Sequence, residues 1–379
     1  MRGPSTDLFI SNVRKPHPGC ADGSMKICLL SLKNNFNKDI GQGVQRYMYE
    51  LWKGLDGIMR EPDVLDKTEL GFGNNNFVRK ASFTLSSLFH DFRGYDIVHT
   101  PAPIMYNPKR LGKAQMVTTV HELVLVDDNS AYAKAIAKTK KGFSMADRFG
   151  GLVYKKAIKQ ILNSDHVITT STLVRDEVVK LGFDRDRISI VNVGIDNRFI
   201  IEPKSRKTGK FTVGYLGGHI PRKNVGFAIN AFRKIKDPDL EFKIYGKGSE
   251  HDNLVKLADG DKRIKFMGFA PENKIVKVYD SFDVLVHPTL YAGFELEIIE
   301  AQSRGIPVII CKFGIIPKEV RKYCFEAEDE AHAASIIEDL KENGYDKKKM
   351  NEAKEYAKRF TWSRCAKETL GVYDNILNN

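Results

Sequence analysis

This chain of 379 residues has no long apolar run. Its most hydrophobic stretches, "PVIIC" and "DVLVHP", are of strand length, well short of the ~18 consecutive apolar residues of a membrane helix, so a helical membrane-spanning protein is excluded. Cysteine is sparse. The five thiols, Cys20, Cys28, Cys311, Cys324 and Cys365, are odd in number, far apart and without a C-x-x-C pair. That argues against a disulfide framework or a cysteine-rich zinc site and fits a reducing, cytoplasmic setting. With 14 prolines and 30 glycines against 42% hydrophobic residues, low-complexity and collagen-like chains are excluded as well. No period of ~20 to 50 residues marks a solenoid or propeller. A net charge of +12 invites a nucleic-acid partner, yet no zinc finger, RNA-recognition motif or aromatic-basic interleaving accompanies it, and no nucleic acid is expected.

What is present is the pattern of an α/β protein. The length exceeds the ~250 to 300 residues at which one hydrophobic core stops growing, so two domains are expected. Residues 1–24 lack both an apolar h-region and helical periodicity and read as a leader outside the fold. From Met25 onward, β-branched runs alternate with helix-period segments, the mark of parallel sheets built from βαβ units. In residues 25–200 the expected strands are "MKICLLS", "YDIVH", "MVTTVH", "HVITT" and "ISIV", with Val44, Met48, Leu51, Leu55 and Ile58 on the buried face of a helix. The scheme repeats in residues 211–360 through "FTVGYL", "EFKIYG", "IKFMG", "FDVLVHP" and "IPVIIC". The polar stretch 201–210, with Pro203 and Gly209, is the expected linker. Residues 361–379 form a closing helix able to pack on either domain. Two doubly wound, Rossmann-like domains would then face each other across a cleft, where open α/β sheets bind ligands. Between Lys134 and Lys159 eight bases meet one acid, Asp147, a candidate contact for an anionic membrane surface.

Two loops carry the chemistry. In "HPTLYAGFELEIIEAQSRGIPVI", residues 287–309, a buried strand runs through a glycine-containing loop into a helix. Free amides at that helix start, near Glu295, would face an anion along a favourable dipole, and Gly293 would let the backbone approach it. Glu300 lies within the helix, where its carboxylate could accept hydrogen bonds from vicinal ribose hydroxyls. In "GYLGGHIPRKNVGFAINAF", Arg222 and Lys223 follow the first strand of the second half and precede a helix. A guanidinium fork and a point charge suit a diphosphate, with Gly217 and Gly218 leaving it room.

These segments, with others in the same order, resemble the retaining glycosyltransferases of family 4, which have the GT-B fold. "GQGVQRYMYEL" resembles the family's first glycine-rich loop and helix, "VTTVHEL" its histidine segment and "SDHVITTSTLVRDEVVKLG" its serine-turn-helix. "ISIVNVGID" resembles the stretch before the linker, "PRKN" the donor-phosphate loop, "YGKGSE" the glycine turn of the second domain and "GFELEIIEAQSRGIPV" the nucleotide-sugar motif. The resemblance implies a hexosyltransferase that takes a nucleotide diphosphate sugar as donor and a glycan or lipid-linked molecule as acceptor. No cofactor and no metal are implied, and no D-x-D pair stands at a strand end of the first half. Arg222 and Lys223 would bind the donor diphosphate and Glu300 the ribose. Gly43 would face the transferred sugar or phosphate, and His121 would hydrogen-bond the sugar near its reacting carbon. Gly217, Gly218, Gly293, Phe294, Glu295 and Leu296 would complete the donor site. His99 in "YDIVHTPAP" reads as packing. The chain would work in the cytoplasm, with residues 134–159 on the inner face of a membrane.

The chain also departs from the family pattern. Ala292 stands where the family places the first acid of E-x(7)-E, Glu295 where a glycine is usual and Glu297 where a proline is common. Tyr215 replaces a frequent arginine, Glu122 an aspartate and Val193 an asparagine. A donor-binding protein without transfer activity, or a nucleotide-sugar epimerase or phosphorylase on the same fold, is the alternative to a transferase.

Overall fold

The computed structural model describes residues 25–30, 43–58, 62–65, 89–101, 108–123, 161–201 and 209–378. The expected leader, most of the expected linker and the whole basic segment from Lys134 to Lys159 lie outside the described residues. Two six-stranded sheets form, and every strand pair is parallel. The first sheet comprises β1 (Ile27–Leu30), β2 (Asp63–Leu65), β3 (Ile97–Thr100), β4 (Gln115–Val120), β5 (His166–Thr169) and β6 (Ile188–Ile190), in the order β2-β1-β3-β4-β5-β6. The second comprises β7 (Phe211–Leu216), β8 (Leu240–Tyr245), β9 (Ile264–Gly268), β10 (Val284–Val286), β11 (Val308–Cys311) and β12 (Phe325–Ala327), in the order β9-β8-β7-β10-β11-β12.

Both orders reverse beside their first strand, between β1 and β3 and between β7 and β10. At such a switch point the flanking connections leave on opposite faces of the sheet, which opens a crevice outside the carboxyl ends of the strands. Helices cover both faces, so β1, β3 and β11 are buried along their whole length. The two strands that hydrophobic pattern does not reveal are β2 and β12. Each is three residues long, sits at a sheet edge and carries an exposed acid, Asp63 or Glu326.

The helix Val44–Asp56 buries Met48, Leu51 and Leu55 as expected and Tyr47 in addition, whereas Val44 is half-buried and the helix ends before Ile58, which is 43% exposed. The closing helix, Trp362–Asn378, packs on the first domain. Trp362, Cys365, Ala366, Val372 and Tyr373 share one core with Ile27, Leu29, Tyr47 and Leu51. Close backbone approach is built in there: a side chain at Gly54 would stand 2.5 Å from the Ala366 Cβ, and one at Gly194 would stand 2.2 Å from the Trp362 nitrogen. The last described helix therefore returns to the domain that holds β1.

Candidate active site

The second domain contributes two loops, one after β7 and one after β10, the strands on either side of the switch point. Arg222 and Lys223 belong to a single 3-10 turn, Pro221–Lys223, started by a proline whose fixed φ suits its first position and ended by Asn224 in the left-handed region at φ 50°. Upstream, Gly217 takes φ 151° and lies so close to the next crossover that a Cβ on Gly246 would meet its carbonyl at 1.8 Å. Tyr215, buried where the family often has an arginine, donates its hydroxyl proton to the Gly218 carbonyl at 3.0 Å and stacks on the His287 ring. A Cβ on Gly218 would find neighbours only at 4.0 Å, so this part of the loop has room beside it.

The helix after β10 is Leu296–Ser303, and Glu295 is its N-cap residue but makes no capping hydrogen bond. Its carboxylate turns instead to Lys223, whose ammonium lies 2.8 Å and 2.6 Å from the two oxygens, and to His287, whose Nε2–H donates at 2.9 Å. Burial alone would lift the Glu295 carboxyl, yet Lys223 and His287 hold it well below the usual carboxylate range. Burial alone would lower the Lys223 ammonium, yet Glu295 and Glu297 keep it above its ordinary value. The pair is thus charged on both sides, with Glu297 4.0 Å from the ammonium. His287, Glu295 and Glu297 could bring three ligand atoms within 4.8 Å of one another. The positive charge that this group holds is the Lys223 ammonium.

Arg222 reaches the other way, across the cleft. Its guanidinium lies 3.3 Å from Glu122, next to His121, and donates at 3.2 Å to the Tyr291 carbonyl. Both bases expected to face a diphosphate therefore rest on protein groups. Neither contact is visible in the one-dimensional pattern, because Glu122 and Glu295 are 100 and 72 residues from their partners.

His121 follows β4. Burial lowers its imidazole to about 4, so it is neutral at pH 7, and its Nε2 is buried without a hydrogen-bond partner among the described residues. Tyr47, one turn into the first-domain helix, packs edge-on against it with ring centroids 4.5 Å apart. This places the start of that helix beside His121. Gly43, its N-cap residue at φ 60°, takes a conformation that favours glycine, and a Cβ there would touch nothing within 4 Å. His99 is fully buried between Tyr373 and Thr119, which hydrogen-bond its two ring nitrogens. It is a packing residue, as expected.

Gly293, expected to let the backbone approach a ligand, sits in the structure where two backbones meet. A Cβ there would stand 1.7 Å from the His121 carbonyl oxygen and 2.9 Å from Val174, so the close approach it permits is between the two domains. Ser171 donates to the Gly293 carbonyl at 2.7 Å from the first-domain side. Tyr291 accepts from the Leu123 amide at 3.0 Å and approaches the Glu177 carboxylate at 2.7 Å. The side chains of Phe294 and Leu296, expected to line the donor, are half-buried and pack against the cores of both domains. Ala292 is buried in the second-domain core, and the buried carboxylate of this loop is three residues further on, at Glu295.

Glu300 completes the set one turn along the same helix. It accepts a hydrogen bond from the Tyr279 hydroxyl at 2.7 Å, while burial, with Glu297 nearby, lifts its carboxyl to about 7. Sequence reasoning noted Glu122 only as a replacement for the family's aspartate and did not single out His287, Tyr291 or Glu177. His287 follows β10 as His121 follows β4, and that strand-end position was the one signal available for those three.

Two doubly wound domains whose facing strand ends bring together two bases, a helix amino end and a neutral histidine define a protein of the GT-B fold. Comparison with known sequences gives the family. A model described as "Glycosyl transferases group 1" matches residues 210–343, and one described as "Glycosyltransferase Family 4" matches residues 41–199. The chain belongs to this family of glycosyltransferases. It is 24% identical over 360 residues to O-antigen chain mannosyltransferase B of Escherichia coli, covering 86% of this chain and 90% of that one. Among solved structures it shares its fold with sucrose-phosphate synthase from Thermosynechococcus elongatus, at a TM-score of 0.72 and 18% identity over 94% of this chain and 100% of the other. The Anabaena protein HepE in complex with UDP and glucose shares it too, at a TM-score of 0.62 and 16% identity over 93% and 100% of the two chains.

Proposed function

We propose that this glycosyltransferase moves a hexosyl unit from a nucleotide diphosphate sugar to a glycan, glycolipid or related acceptor, with retention of anomeric configuration and without a metal ion. The observation that carries this reading is the meeting, at the β7–β10 switch point, of the Arg222-Lys223 turn and the amino end of the Leu296–Ser303 helix, with His121 facing them. Cationic side chains and helix amides are suited to the negative charge that develops on a departing diphosphate. Neutral at pH 7, the His121 imidazole can hydrogen-bond a sugar hydroxyl through its unpartnered Nε2. The departing phosphate then helps to deprotonate the acceptor on the same face of the sugar, so no carboxylate nucleophile is needed. The named activity of the E. coli relative, a mannosyltransferase, makes mannosyl donors the first to try.

A thermal-shift screen of nucleotide diphosphate sugars tests the donor, because a ligand that binds the native state raises the apparent stability. Nuclear magnetic resonance of the product then tests retention; an inverted anomeric centre would overturn it. Full activity in excess EDTA is the expected result for metal independence. Loss of activity restored by Mn²⁺ or Mg²⁺ would overturn that part.

Glu300 supplies a prediction in pH. Its carboxyl rises from 4.5 to about 7 on folding, so its contribution to stability is present below the lower value and is lost as pH climbs through the upper one. The ionised form is the better acceptor for ribose hydroxyls, so donor affinity should increase between pH 6 and 8. Glu300→Gln should flatten that profile, raise stability at pH 8 and weaken nucleoside diphosphate binding by about 1.5 to 3 kcal/mol. Isothermal calorimetry at the two pH values checks it.

A further inference from the structure

We propose that Glu295 is a built-in counter-anion that occupies the Lys223 ammonium in the empty site and must be displaced for the donor diphosphate to bind. The inference rests on the donor reading above and concerns how that site is filled. An ammonium has three N–H donors. Two lie on the oxygens of Glu295, at 2.8 Å and 2.6 Å, and Glu297 stands 4.0 Å away. Lys223 and Glu295 are 7% and 2% exposed, so water does not compete for the contact.

The position of the carboxylate is as telling as its partner. Glu295 is the N-cap residue of the Leu296–Ser303 helix, yet it caps nothing. The amides of the first helical turn are thus not bound by its side chain, while the nearest base is neutralised by it. His287, at the end of β10, donates to the same carboxylate and steadies it in place. A diphosphate arriving at the helix amides would meet a fixed negative charge where it needs a positive one. It gains Lys223 only when the ammonium leaves Glu295. Donor binding is therefore an exchange of one anion for another on a single cation, and its affinity is reduced by the strength of the internal pair. The same carboxylate disfavours small anions, which bring too few other contacts to displace it.

The test is calorimetric titration of the full chain with UDP, GDP and inorganic pyrophosphate, each against wild type, Glu295→Gln, Glu295→Asp and Lys223→Gln/Glu295→Gln. Circular dichroism shows which variants are folded. Wild type should bind one of the nucleoside diphosphates and bind pyrophosphate weakly. Glu295→Gln frees the ammonium and should tighten both ligands by at least about ten-fold. Glu295→Asp, which keeps the charge but draws it back by one methylene, should show a smaller gain and serves if the glutamine variant does not fold. Removing Lys223 as well should abolish the gain, because the benefit passes through that ammonium. A folded Glu295→Gln or Glu295→Asp that binds the nucleoside diphosphate no tighter than wild type overturns the proposal while leaving the donor reading intact. Absence of nucleoside diphosphate binding in wild type and every variant overturns the donor reading, and the counter-anion role with it.

Discussion

Gly293→Ala is expected to reduce kcat/KM for sugar transfer by about 100-fold or more while leaving nucleoside diphosphate affinity within a few-fold of wild type. The added Cβ would stand 1.7 Å from the His121 carbonyl oxygen and 2.8 Å from the carbon that carries it. Those are backbone atoms at the end of a buried strand and cannot swing aside, so the clash is relieved only by parting the domains. A displacement of about 1 Å between reacting groups is enough for a loss of this size. The elements proposed to hold the diphosphate, Arg222, Lys223 and the helix amides, all belong to the second domain and travel together. Steady-state kinetics set beside calorimetry separates the two effects. Equal losses in both would mean that Gly293 serves the donor directly; normal transfer would mean that the domains work further apart than in this structure.

Gly293 also marks where reading the sequence stops. Ten of the twelve strands among the described residues coincide with runs of β-branched and aromatic residues, most plainly where a strand is buried along its whole length, as in β1, β3, β10 and β11. The two loops that follow β7 and β10 were legible for the same reason, as breaks between such runs holding glycine, bases and a helix start. Contacts across the cleft were not legible. Glu122 reads only as a replacement for the family's aspartate until the fold brings it to Arg222, and Tyr291 as any loop aromatic until its hydroxyl meets Leu123 and Glu177. Glu295 stands in a recognisable motif, but its ion pair with Lys223 depends on the adjacency of β7 and β10. Strand order is a tertiary property, which local pattern does not encode.

Lys223→Ala should be the most destabilising of the single substitutions at this site, by about 3 to 5 kcal/mol at pH 7, because it strands a buried carboxylate. Glu295 would keep only the His287 hydrogen bond against the full cost of its burial. The pH dependence follows from the sign of its shift. In wild type the folded-state carboxyl of Glu295 is depressed below its ordinary 4.5, so the pair's contribution is present above that value and fades as pH falls through the folded one. In Lys223→Ala the shift reverses, since burial then dominates. The variant's deficit is therefore largest at neutral pH and shrinks toward acid, where the carboxyl is protonated in both folded and unfolded chains. Lys223→Ala/Glu295→Ala should recover much of the loss, because removing a whole buried ion pair costs far less than removing half of it. Nucleoside diphosphate binding should not recover with it, since the ammonium that the donor needs is absent from both variants. Urea denaturation at pH 5 and pH 7, with calorimetry on the same proteins, distinguishes the two requirements. A loss under about 1 kcal/mol in the single variant, the range of exposed pairs, would mean that Lys223 and Glu295 are solvated and apart in solution, and that the diphosphate meets no internal competitor.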